Sequence, residues 1–137
     1  MIYLMRHCER PDEDSSFFSS LTYEGMSNSV KNVDTVADLN INVIYTSPFL
    51  RCIQTSLPIA WRYKCVFKQE YSLYEWDHAE KTKHELHIWD DNMCKYFGIA
   101  PVRILKSYHD PSLINDETGD DFKDRVGEVL SGIVKSI

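Results

Sequence analysis

Apolar and polar positions along this chain fall into blocks whose period switches. Residues 2–5 form a continuous apolar run that stops at Arg6-His7-Cys8-Glu9-Arg10, as expected of a buried strand ending in a charged turn. A polar, Ser-rich loop over residues 11–20 follows. Met26, Val30, Val33 and Ala37 then recur at spacings of 4, 3 and 4, which predicts an amphipathic helix with Thr22 as its N-cap. Residues 42–46 read as a second buried strand. Ser47-Pro48 opens another helix, with Pro near the first turn where its missing N–H costs little, and Leu50, Ile53, Leu57, Ala60 and Trp61 as its apolar face.

Residues 65–67 predict a third strand and 71–76 a loop. A weaker helical pattern runs through His84, Ile88, Trp89 and Met93, and residues 98–114, with Pro101 and Pro111, read as irregular. The last segment predicts a helix capped by Asp120 with Phe122, Val126, Val129, Leu130, Ile133 and Val134 on its apolar face. Strand, helix, strand, helix in this order argues for an α/β layered domain with a partly parallel sheet and right-handed crossovers. Ligands of such sheets sit beyond the carboxyl ends of the strands. Both charged junctions, 5/6 and 46/47, are at that end.

Composition narrows the picture. The 137 residues fit one domain, 1–137, and 43% hydrophobic with 26% charged residues is ordinary for a globular chain. A net charge of -6 gives no global pull toward nucleic acid or an anionic membrane, so any anion must be held locally. No run approaches the roughly 18 consecutive apolar residues of a membrane span, and a cytoplasmic chain, cytosolic or nuclear, is the expectation. Cys8, Cys52, Cys65 and Cys94 are scattered without a C-x-x-C pair, so reduced thiols are expected and neither a zinc ribbon nor a disulfide framework.

The two junctions deliver Arg6, His7 and Arg10, then Ser47 and Arg51. Three guanidiniums and a helix N-terminus converging on one imidazole would hold a doubly charged oxyanion, because Arg presents forked donors matched to phosphate. An unprotonated imidazole there is a candidate nucleophile toward phosphorus. The departing alkoxide or phenolate then needs a proton, and Glu75, flanked by Tyr74 and Trp76, is the candidate donor if its neighbours desolvate it.

These residues resemble a known family. "LMRHCER" is similar to the L-x-R-H-G-E-R signature of the histidine phosphatase superfamily, the phosphoglycerate-mutase-like enzymes. "LTYEG", "IYTSPFLRCIQTS", "SLYEW" and "ETGDDFKDRV" follow in the family's order. The Glu-Trp pair and the R-H-x-E-R form look most like the branch typified by the suppressors of T-cell-receptor signalling. The resemblance implies a three-layer α/β/α sandwich with a mostly parallel sheet. It implies a phosphomonoester phosphatase in which His7 accepts the phosphoryl group, Arg6, Arg10 and Arg51 clamp it and Glu75 donates the proton, with no metal or other cofactor. A small phosphorylated substrate or a phosphoprotein would be the partner.

Two positions depart from the pattern. Cys8 stands where the family has Gly, beside the phosphate, where it could crowd the site or make it oxidation-sensitive. The family's last helix leads into a strand bearing a second His, and this chain is expected to be C-terminally truncated relative to that plan, with His78 and His109 in no matching context. Loss of that donor favours a weak enzyme, or a phosphate-recognising scaffold, and an exposed sheet edge favours a homo-oligomer. A phosphoglycerate mutase-type phosphotransferase uses the same pocket.

Other chemistries fit less well. No cysteine is followed six positions later by Arg, as a cysteine-dependent phosphatase requires. His78, His84, His87 and Cys94 read as exposed or structural rather than as a metal site, since the run is H-E-L-H and not H-E-x-x-H. Asp12, Glu13 and Asp14 read as a solvated loop, and Trp61, Trp76 and Trp89 as core or loop anchors.

Overall fold

The computed structural model of the chain describes residues 1–74, 87–99, 103–104 and 118–136. The N-terminal helix α1 (Tyr23–Thr35) starts where Thr22 accepts the Gly25 N–H on its side chain, so the expected N-cap is in place. A short 3-10 turn (Ala37–Leu39) leads into β1 (Val43–Thr46), helix α2 (Leu50–Tyr63) and β2 (Val66–Gln69). A second 3-10 turn (Tyr71–Leu73), the short helix α3 (Asp91–Tyr96), β3 (Arg103–Ile104) and the long helix α4 (Gly119–Lys135) complete the described elements.

The three strands form one parallel sheet in the order β1-β2-β3, with Val43 opposite Val66, Thr46 opposite Gln69, and Gln69 opposite Ile104. Parallel strands need a crossover, and α2 is the one that joins β1 to β2. Lys64 ends α2 in a left-handed conformation, with its N–H returned to the Ala60 carbonyl, and the Val66 N–H then takes the Asn42 carbonyl to begin the ladder. Phe67 on one sheet face packs toward the core built on Leu50, Ile53 and Leu57 of α2. Leu50 and Ile53 are fully buried, each worth roughly 1.5–3 kcal/mol of transfer free energy. The loop after the charged turn adds Phe17, which packs on Phe49 and Trp89. On the other face Lys68 lies over the Tyr45 ring, and Tyr45 reaches Ser136 just past the end of α4. Helix, sheet and helix are thus stacked, as the α/β reading expects.

Several local expectations are corrected. Residues 2–5 form no strand: Ile2, Tyr3, Leu4 and Met5 are exposed and line a cleft of about 1000 Å³ whose walls include β1 and Ile133 of α4. An apolar run looks alike whether it lies in a sheet or along a cleft, and burial on both faces takes neighbouring layers that do not close on this segment. Helix α2 starts at Leu50, after Pro48, and its Trp61 faces solvent while Leu50, Ile53, Leu57 and Ala60 are buried.

The buried face of α1 is Gly25 and Ser29, with Met26 and Val30 exposed. Close backbone approach favours small residues there, so apolar spacing pointed to the wrong side. Helix α4 is capped two residues earlier than expected, by a reciprocal Thr118–Asp121 capping box, and Val134 is exposed beside buried Val129 and Ile133. The region read as irregular contains β3, a strand too short to show a period. Of the segment expected to be helical, residues 91–96 form α3 with Asp90 as its cap, residues 87–90 are not helical, and residues 80–86 lie outside the described residues.

Candidate active site

The site grows from the turn that ends the apolar run. His7 is half-buried, and its Nδ1 lies 2.7 Å from the Cys8 carbonyl. A carbonyl only accepts, so Nδ1 carries the proton and Nε2 holds the free lone pair. Burial lowers the His7 pKa below 6.5; the Cys8 carbonyl opposes that shift, and the charges of Arg51, Arg6 and Arg10 reinforce it. A neutral imidazole with an open Nε2 among three cations is the result. Arg6, His7, Cys8, Glu9, Arg10 and Asp12 enclose a small hollow of about 300 Å³.

Two helices hold this turn. The Cys8 N–H donates to Thr55 Oγ1 of α2 at 2.9 Å, and the Asn32 side-chain amide of α1 donates to Cys8 Sγ at 3.5 Å. The Glu9 carbonyl receives the Thr22 N–H at 2.9 Å, and the Thr22 hydroxyl reaches the Glu9 carboxylate at 2.8 Å. Gly25 sits so close that a Cβ there would collide with the Glu9 carbonyl, which is backbone and cannot swing aside. Gly25→Ala is therefore expected to push α1 off the turn. It should cost about 1–3 kcal/mol by overpacking. A thermal melt unchanged from wild type would contradict this.

The three guanidiniums differ in setting. Arg6 is exposed. Arg10 folds back onto its own loop, with Nη1 donating to the carbonyls of Pro11 at 2.7 Å and Asp14 at 3.2 Å. Arg51 is 1% exposed, lies over the Phe49 ring and donates from Nη1 to the Ser15 and Ser16 carbonyls. It thereby ties the 11–20 loop to α2, a role the sequence did not signal. The N-terminus of α2 is also engaged, since its Leu50 N–H is taken by the Phe17 carbonyl. Ser47, which lines the same cleft as Arg6 and His7, reaches back to the Phe49 N–H at 3.4 Å.

Glu75, Trp76, His78, His84 and His109 lie outside the described residues. His87 packs against the rings of Phe17 and Phe18, and Cys94 is buried in the core. Trp89 is a core anchor whose indole N–H donates to the Pro48 carbonyl at 2.6 Å. All four cysteines are free thiols.

Among structural contributors that pattern reading missed, Arg125 of α4 is 2% exposed and donates to the carbonyls of Ser72 at 2.7 Å and Tyr74 at 2.9 Å. A single Arg among apolar helical positions was the available signal. No helix among the described residues is long and apolar enough to cross a membrane.

A turn that presents a neutral imidazole with Arg6 and Arg10, packed near buried Arg51 of α2 on a parallel α/β scaffold, agrees with the comparisons to known proteins. The family model for the histidine phosphatase superfamily (branch 1) matches residues 2–136, and the chain belongs to that superfamily. In fold it is similar to the ecdysone phosphate phosphatase from Bombix mori, solved in complex with tungstate, with a TM-score of 0.67 and 19% sequence identity. That match covers 88% of this chain and 48% of the other, so the chain spans about half its length. No curated protein matches the chain significantly.

Proposed function

We propose that the chain is a phosphomonoesterase working through a phosphohistidine on His7. The observation that carries this is the commitment of the Nδ1 proton to the Cys8 carbonyl, which leaves Nε2 as an open, neutral nucleophile beside Arg6, Arg10 and Arg51. Nε2 attacks phosphorus in line while the guanidiniums neutralise the equatorial oxygens. The leaving alkoxide or phenolate takes a proton from Glu75. Water, deprotonated by the resulting carboxylate, then displaces phosphate from nitrogen and restores neutral His7. The Glu75-Trp76 pair supports a place near the suppressor of T-cell-receptor signalling branch, and the apolar cleft beside His7 supports an ester of a bulky apolar or aromatic alcohol.

Hydrolysis of a generic aryl phosphate in the presence of chelator tests this reading, and its pH profile sharpens the test. Because His7 is held below 6.5, the acid limb of kcat/KM, which reports the free enzyme, is expected below pH 6.5. A limb at or above that value would count against His7 as the nucleophile. The sign for stability follows the same way. The unfolded chain binds the proton first as pH falls, so the His7 contribution is full above pH 6.5 and is lost toward its lower folded pKa.

A second reading, phosphate recognition without turnover, draws on the guanidinium hydrogen bonds that Arg10 and Arg51 already give to loop carbonyls. Vanadate binding by a wild type that cleaves nothing would favour it. A phosphoglycerate supplied as substrate separates the mutase alternative, through positional isomerisation against free phosphate release.

A further inference from the structure

We infer that Thr55 is a positioning residue for His7: its buried hydroxyl fixes the Cys8 backbone, and through it the imidazole tautomer that leaves Nε2 open. The inference rests on the phosphohistidine reading for its catalytic consequence, though not for its geometry. Thr55 is 2% exposed on α2, and its Oγ1 donates to the Arg51 carbonyl at 2.7 Å. A Thr in a helix often bonds back one turn in this way, and that bond alone would mean nothing. The second bond carries the inference. A hydroxyl has one proton, and here a carbonyl that can only accept holds it. The lone pairs of Oγ1 are thereby left for the Cys8 N–H, which reaches them at 2.9 Å across 47 residues of sequence.

Cys8 then turns its own carbonyl onto His7 Nδ1 at 2.7 Å. Among the described residues, Thr55 Oγ1 and Asn32 Nδ2 supply the hydrogen bonds that reach residues 1–8 from outside the charged turn. Residues 2–5 enter no strand, so no ladder upstream holds His7 in place. The rigidity must come from the two helices that hold the turn, of which α2 is anchored in the core by Ile53 and Leu57. Thr55 therefore connects the packed core to the nucleophile through the Cys8 backbone.

The test compares Thr55→Val, which keeps the shape and removes the hydroxyl, with Thr55→Ser, which keeps the hydroxyl. Long-range ¹⁵N–¹H correlation on histidine-labelled protein is expected to show His7 protonated at Nδ1 in wild type and Thr55→Ser, and a mixture of tautomers in Thr55→Val. With an aryl phosphate, kcat of Thr55→Val should fall roughly 10–100-fold, the scale of a misplaced reacting group, at little changed KM, and Thr55→Ser should restore it.

A folded Thr55→Val that keeps the pure Nδ1–H pattern overturns the inference, as does a Ser variant that rescues nothing. Should Thr55→Val fail to fold, amide exchange in wild type decides: a Cys8 N–H protected relative to Arg6 supports the inference, and equal exchange overturns it. A wild type with the expected tautomer and Thr55 dependence but no turnover would remove the catalytic reading and leave the positioning role standing.

Discussion

His7→Ala is expected to lower kcat/KM for an aryl phosphate on the order of 10⁴-fold or more, the scale of removing a covalent nucleophile. The protein should remain folded. The imidazole is half-buried and, among the described residues, makes one hydrogen bond, to its own neighbour's carbonyl, so its loss opens no large cavity in the core. Phosphate or vanadate binding should survive in weakened form, because the arginines remain. That combination, binding kept and turnover gone, separates a nucleophile from a residue that merely shapes the pocket. Comparable turnover by wild type and variant would sink the assignment.

The second large effect is on stability. Arg125→Ala is expected to cost about 3–5 kcal/mol, since a buried side chain is emptied and two carbonyls lose a charged donor. Its guanidinium stacks 3.4 Å from the centre of the Tyr74 ring while bonding the Ser72 and Tyr74 carbonyls. It is what fastens α4 to the turn that follows β2. Arg125→Lys, whose single ammonium cannot reproduce the planar fork, should recover only part of the loss. Denaturant unfolding of the three proteins measures this directly, and an Arg125→Ala variant within about 0.5 kcal/mol of wild type, the range of ordinary surface changes, would contradict it.

Strong local signals were legible in the sequence. Thr22 caps α1, residues 43–46 form a parallel strand, and Leu50, Ile53 and Leu57 face the core from α2, all as periodicity and capping chemistry indicate. The charged turn was legible as an abrupt change of polarity, but the strand end expected at residues 5/6 is absent, and the turn meets α2 through Cys8 and Thr55 instead.

What stayed hidden depended on packing. The exposure of residues 2–5 is decided by which layers close over them, and not by their hydrophobicity. The inner face of α1 is set by contact of Gly25 with the Glu9 backbone, a steric fact with no apolar signature. Arg51 reads as a phosphate ligand from its motif, while the fold adds its bonds to the Ser15 and Ser16 carbonyls. Thr55 looked like an ordinary helical threonine until its hydroxyl was seen to meet Cys8.

The central claim is a covalent bond between phosphorus and His7 Nε2. Rapid mixing with an aryl phosphate, alkaline quench and peptide mapping by mass spectrometry tests it most directly. The expected result is an acid-labile, base-stable phosphate on the peptide that contains His7, formed within one turnover and lost as phosphate is released. Steady hydrolysis with no phosphate ever found on that peptide would contradict the mechanism.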